Sequence, residues 1–172
     1  MPVTIVATPG AADANSFVTV AAADAYLATR LNATEWTGDD AKAIALIEAT
    51  REISPLAYLG YRVTETQALG WPRYGAPNPD GIGNGAWYDQ TVIPPRVQDA
   101  ICELALEFLR AGTSDISKPD ATAQISKEIV GPIETDYVAV SDRAMGLARY
   151  PRISRLLAPL LLATPGQVRL VR

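Results

Sequence analysis

Histidine is absent from the 172 residues, and cysteine occurs once, at Cys102. Without histidine there is no Ser-His-Asp triad, no Cys-His dyad, no histidine-ligated zinc and no histidine general base. A lone cysteine rules out a disulfide framework within the chain and every CxxC metal or redox motif. Lysine is sparse as well, at positions 42, 118 and 127, and aromatic residues make up only 7%. The longest apolar run, Leu156 to Ala163, falls far short of the ~20 residues of a membrane span, and Pro159 interrupts it. The opening MPVTIVATPGAA lacks the basic n-region of a signal peptide. The expectation from these absences is a protein without an enzymatic reaction, cofactor, metal or membrane, working where it is made. What remains is ordinary globular composition, 48% hydrophobic and 20% charged, at a length that suits a single domain.

Charge is unevenly placed. The last thirty residues hold six arginines (143, 149, 152, 155, 169, 172) and no acid, hence +6, whereas nine bases and nineteen acids over residues 1–142 leave −10. A basic end on an acidic body marks a contact with an acidic partner or with nucleic acid, where a plain solvated terminus is the bland alternative. Val168, Leu170 and Val171 alternate with arginine in the final stretch, and a merely solvated tail has little use for them.

Three helices are legible in the first two thirds. Thr19 is placed to cap a helix running to about Arg30, with Ala23, Tyr26, Leu27 and Arg30 on one face. Thr37-Gly38-Asp39-Asp40 fits a capping box for a second helix, with Ile44, Leu46, Ile47 and Ile53 expected inside and Pro55 ending it. Pro94-Pro95 opens the third, with Val97, Ile101, Leu104, Ala105 and Phe108 on one apolar face and Gly112 as a left-handed cap. Cys102 lies beside that face and reads as a small core residue. On the other side Asp99, Glu103 and Glu107 form an acidic stripe, either solvated or met by arginine from a neighbouring subunit.

Elsewhere the chain is less regular. Val3 to Val6 is a β-prone run ending at the Pro9-Gly10 turn. Residues 72–95 form a long Pro/Gly-rich loop, expected to bind something, with Arg73, Trp87 and Tyr88 as its interface residues. Trp71 reads either as a core plug or as part of that contact. Gly81 to Ala86 matches a dinucleotide fingerprint in letters but lacks the flanking strand and helix, and Asp80 to Thr91 lacks the oxygen ligands of a calcium loop. Two β-prone runs joined by Gly131-Pro132 predict a ribbon at about 125–140. A last helix, Tyr150 to about Leu161, should end or kink at Pro159. No internal repeat is present. The carboxylate pairs Asp39-Asp40 and Glu103 with Glu107 have no catalytic context. Arg149, Arg152 and Arg155, with Tyr150 among them, form a basic interface able to meet phosphates.

Several stretches, taken in order, resemble one family. They are Asp13-Ala14-Asn15-Ser16-Phe17-Val18, Ala23-Asp24-Ala25-Tyr26, Ala68-Leu69-Gly70-Trp71-Pro72-Arg73, Ile93-Pro94-Pro95-Arg96-Val97 and Glu103-Leu104-Ala105-Leu106. Val130-Gly131-Pro132-Ile133-Glu134 with Tyr137, and Tyr150-Pro151, complete the set. The set is similar to the small head–tail connector (adaptor) proteins of long-tailed phages, often labelled DnaT-like single-stranded-DNA-binding proteins. The resemblance implies a mainly helical bundle with a β-ribbon, one adaptor domain over 1–162, and an extended C-terminal arm over 163–172. It implies a ring, dodecameric in similar adaptors, beneath the portal at the virion neck, assembled in the host cytoplasm. A tail-side neck protein, a stopper or tail terminator, would dock below, and double-stranded DNA would pass through the lumen. On that picture the arm Gln167, Val168, Arg169, Leu170, Val171 and Arg172 docks on the portal, and Asp99, Glu103 and Glu107 face a neighbouring subunit or the lumen. The label itself carries the alternative of a single-stranded-DNA-binding replication protein.

Overall fold

In a computed structural model, residues 2–83, 85–115, 127–130, 133–136 and 146–162 are described. They are mainly helical: α1 (Val20–Leu27), α2 (Asp39–Ile53), α3 (Pro95–Ala111) and α4 (Pro151–Leu157), with two short antiparallel pairs. α3 is the hub, packed against α2, α4 and α1. It begins at Pro95 and ends at Gly112 in the left-handed region (φ 64°), as the sequence predicts. All five residues of its predicted face are buried, and so are Ala100, Cys102, Glu103 and Leu106. The reason is tertiary: α1 and α4 cover the side that the sequence pattern leaves to solvent. Each large side chain removed from water there contributes roughly 1.5–3 kcal/mol.

Thr19 does cap α1, its hydroxyl accepting from the Ala22 N–H at 3.2 Å. The helix stops at Leu27, short of the predicted Arg30, because Thr29 Oγ1 donates to the Tyr26 carbonyl and Arg30 N–H turns back to Leu27. The capping box predicted for α2 does not form. Its N-cap is Gly38 at φ 77°, with no side-chain cap bond. Asp40 instead accepts from the Val3 N–H at 3.1 Å, while both aspartates sit in the first turn where the helix dipole favours them. Leu46, Ile47 and Ile53 are buried as predicted, but Ile44 is 49% exposed.

The β-prone start forms no strand. It is held by Asn15, whose Oδ1 accepts from Val6 N–H at 2.8 Å while Nδ2 donates to the Thr4 carbonyl at 2.9 Å. Ser16, Phe17 and Val18 follow into the core. The Pro/Gly-rich loop is more ordered than its composition suggests. β1 (Tyr61–Arg62) pairs with β2 (Arg73–Tyr74), Pro77 bridges Trp87, and Tyr88 N–H donates to the Ala76 carbonyl. Arg96 then ties the loop to α3 through a two-pronged contact with Asp80, at 2.6 and 2.5 Å. Trp71 is the core plug, 1% exposed and edge-on to Tyr58 and Tyr88 at 5.4 and 6.3 Å. The peptide between Trp71 and Pro72 is cis. Gly70 passes so close to the Ser54 carbonyl that a Cβ would collide with it, which accounts for glycine before the tryptophan.

The predicted ribbon is present as β3 (Lys127–Val130) against β4 (Ile133–Asp136), in register from Val130↔Ile133 to Lys127↔Asp136. α4 passes at Ala158–Leu160 into a 3-10 turn containing Pro159. The chain beyond pairs with an earlier segment, Tyr58 opposite Leu161, with Leu59 N–H donating to Leu160 and Leu162 N–H to Ala57, both at 2.8 Å. The predicted arm, 163–172, lies outside the described residues. Among the described residues no helix is long and apolar enough to cross a membrane.

Candidate functional site: an arginine-lined groove

A hollow of about 660 Å³ opens where the turn after α1, the second half of α3 and the start of α4 meet. Arg30, Leu31 and Asn32 come from the turn, Glu103, Glu107 and Arg110 from α3, and Arg149, Tyr150 and Arg152 from the α4 entry. The early end of α1 builds this arrangement. With the helix stopped at Leu27, Arg30 turns inward, and Asn32 takes a positive φ of 59° as the chain reverses.

Glu103 sits at the base, 6% exposed. Tyr26 donates its phenol proton to Oε1 at 2.7 Å. Arg30 holds Nε 2.9 Å from Oε1 and donates from Nη2 to Oε2 at 3.3 Å, and Arg152 Nε lies 3.4 Å from Oε1. Three elements therefore converge on one carboxylate, which compensates the cost of burying it. Burial first, and then the bond to Glu103, push the Tyr26 phenol well above its ordinary range, so it stays a donor. Arg110 binds Glu107 at 2.5 Å and the Asn32 carbonyl, with Glu35 3.8 Å away. Arg149 lies over the Tyr150 ring, 6.0 Å from its centroid.

The middle of the acidic stripe of α3, Glu103, is thus not solvated. The arginine expected from a neighbouring subunit is supplied at Glu103 by Arg30 and Arg152 of the same chain. Glu107 has Arg110, and Asp99 is half-buried, its carboxyl held above the usual range by desolvation and then by Glu103. Of the basic trio, Arg149 and Arg152 line the groove, whereas Arg155 is exposed and reaches back to the Pro151 carbonyl at 3.4 Å. The expected basic interface of Arg149, Arg152 and Arg155 is therefore divided between the groove and an exposed position on α4.

The loop residues separate in the same way. Arg73 is a brace: Nε donates to Leu59, Nη1 to Gly70 and Nη2 to Tyr58 and Gly60, all backbone carbonyls at 2.5–3.2 Å. Every guanidinium nitrogen is thus engaged within the chain, which leaves the expected contact with a partner to be tested by mutation. Tyr88 is half-buried against the core, and only Trp87, 61% exposed, is open to a partner. Arg30, Arg110 and Tyr26 were not singled out as site residues by sequence reasoning. Tyr26 and Glu103 are 77 residues apart, and no periodicity links them.

Among the described residues no group of three His, Cys, Asp or Glu could hold a metal ion. Asp80 and Asp89, from the rejected calcium-loop match, are engaged by Arg96 and by Thr91. Cys102 is buried and its thiol is pushed up to about 12 by desolvation, so it is inert packing at neutral pH.

These features define a small, mainly helical protein with a charged groove among its described residues. The chain belongs to the family described as "Putative DnaT-like ssDNA binding protein", whose model matches residues 1–172. No curated protein and no solved structure matches it.

Proposed function

We propose that the protein is a structural head–tail connector, forming a ring beneath the portal of a long-tailed phage and joining it to the tail. The observation that supports this reading most is the division of charge: −10 over residues 1–142 against +6 over the last thirty. An acidic wall lets DNA slide through a channel without sticking, because it repels the phosphates. A basic segment on an acidic body suits head-to-tail contacts between copies and docking on a larger ring. The ordered motifs from Asp13 to Pro151 resemble the connector family, and the reading assigns no reaction and no cofactor.

Within it, Gln167 to Arg172 engage the portal, with Arg169 and Arg172 pairing with acids and Val168 and Leu170 filling pockets or adding a strand. A tail-side neck protein docks on the opposite face of the ring. The place of action is the virion neck, after assembly in the host cytoplasm. The test is to mix the purified protein with portal rings encoded by the same genome and size the mixture at physiological salt. Stoichiometric rings on the portal support the proposal, and loss of the complex on deleting Gln167 to Arg172 assigns the arm. No complex overturns it.

A second reading, single-stranded-DNA binding, is favoured by the family description and by Arg149 beside Tyr150, a cation with a stacking ring. Salt-dependent retention on an oligo(dT) strand, lost in Arg149→Glu, would support it.

A further inference from the structure

Among the described residues three aromatic side chains are exposed, Tyr61, Tyr74 and Trp87, and all three belong to the short β pairings between α2 and α3. The other described rings are buried or partly so. On a chain with only 7% aromatic residues, this concentration in one place marks a contact surface.

Tyr61 and Tyr74 stand directly opposite each other on β1 and β2. Opposed residues of an antiparallel pair share a face, with Cβ atoms about 5 Å apart. Arg73 decides which face is turned out. Its bonds to the carbonyls of Tyr58, Leu59, Gly60 and Gly70 draw one face of the pair inward, so the alternate face with both tyrosines meets water. Glycine flanks each ring, Gly60 before Tyr61 and Gly75 after Tyr74, so those neighbours place no side chain over them. A Cβ on Gly60 would collide with the Tyr74 carbonyl, which ties the close pairing to that glycine. Trp87 continues the surface from its position opposite Pro77, three residues beyond Tyr74.

Arg62, next to Tyr61, is exposed and has no ion pair among the described residues. Its cross-strand neighbour is Arg73, whose guanidinium is held below its ordinary range by burial first, with the Arg62 charge adding to the effect. Glu65 is exposed three residues further on, so charge here is close to balanced and ring surface must carry most of the affinity. Open rings on a fixed backbone pair, with one cation beside them, suit an unpaired base and its phosphate. A duplex keeps its base faces within its own stack.

We infer that Tyr61 and Tyr74, with Trp87 and Arg62 beside them, form a stacking platform for the bases of a single-stranded nucleic acid. The inference rests on the single-stranded-DNA reading for its ligand class, and it places the contact on the β1–β2 pair rather than at the α4 entry.

Titrating labelled oligo(dT), and a duplex of the same length, with the full chain and following anisotropy tests it. The single strand should bind at least about tenfold more tightly than the duplex. Tyr61→Ala and Tyr74→Ala should each weaken binding by about fivefold or more, while Tyr61→Phe and Tyr74→Phe, which keep the rings, should bind like wild type. Both tyrosines are exposed, so the alanine variants should melt like wild type. Trp36 and Trp71 are buried, so quenching of tryptophan emission by oligo(dT) should disappear in Trp87→Phe. Arg62→Gln should lower the salt slope of binding by about 0.7. Folded alanine variants that bind like wild type, or a duplex bound as tightly as the single strand, would overturn the platform. Binding that survives both tyrosine changes but is lost in Arg149→Glu would overturn it too, and leave the single-stranded-DNA reading standing. No binding of oligo(dT) by the wild-type chain would remove that reading and the platform together.

Discussion

Tyr26 donates to Glu103 at 2.7 Å across 77 residues of sequence, and through that bond α1 is fastened to the hub helix α3. Arg30 and Arg152 approach the same carboxylate, so the closing of α4 over α3 and the turn after α1 depend on one side chain.

Removing Glu103 should therefore cost more than removing any one of its partners. Glu103→Ala leaves two arginines facing each other over a buried gap and should destabilise by about 2–3 kcal/mol, discounted for the partly exposed arginines. Tyr26→Phe should cost about 1–2 kcal/mol. A double-mutant cycle by urea denaturation should show strong coupling between the two, and additive losses would contradict the shared site.

Arg73→Lys tests whether that residue braces the loop or meets a partner. An ammonium cannot reproduce four bonds to carbonyls from a planar fork. The expected result is a loss of about 2–3 kcal/mol in the isolated protein. An unchanged melting temperature would return Arg73 to the list of contact residues.

Cys102 should resist iodoacetamide in the folded protein at pH 8 and react at once in denaturant, since its thiol is buried and pushed up to about 12. Labelling of the native protein at the rate of a free thiol would place Cys102 outside the core.

Asp99 gives a pH dependence of known sign. Its folded pKa lies above the ordinary value of 3.8, so the folded state holds its proton more tightly than the unfolded chain. Stability is then lost as pH rises through that window and stays lower above it. Asp99→Asn should raise the melting temperature at pH 7, with the gain fading below about pH 3.8. Asp24 acts the other way: Lys42 lowers its pKa, so its contribution is present above 3.8 and disappears as pH falls further. Lys42→Met should remove that acid-side slope in a melting series.

Local rules carry most of the helices. Pro95 and Gly112 bound α3, Thr19 starts α1, and Pro159 ends α4 as an α-helix, because each acts on the backbone within one turn. The ribbon is visible for the same reason, in alternation around Gly131-Pro132. The capping box at Thr37 fails because Gly38 takes a positive φ and becomes the cap itself, a choice set by how the preceding turn meets α2.

The site is less legible. Glu103, Arg149 and Arg152 are visible as charges in suggestive places, yet whether a charge faces water or another charge is not a local property. Spacing along α3 makes Asp99, Glu103 and Glu107 look alike. Packing makes them different, since α1 and α4 close over the middle one. Arg73 reads as a loop cation until the chain folds four carbonyls around it.

The sequence by itself excluded histidine chemistry and intrachain disulfides, separated the acids of residues 1–142 from the arginines of the last thirty, and marked where α1, α3 and α4 begin. Only the tertiary structure decided which charges pair, because a buried ion pair forms where packing removes water from both partners, and those partners lie far apart in sequence.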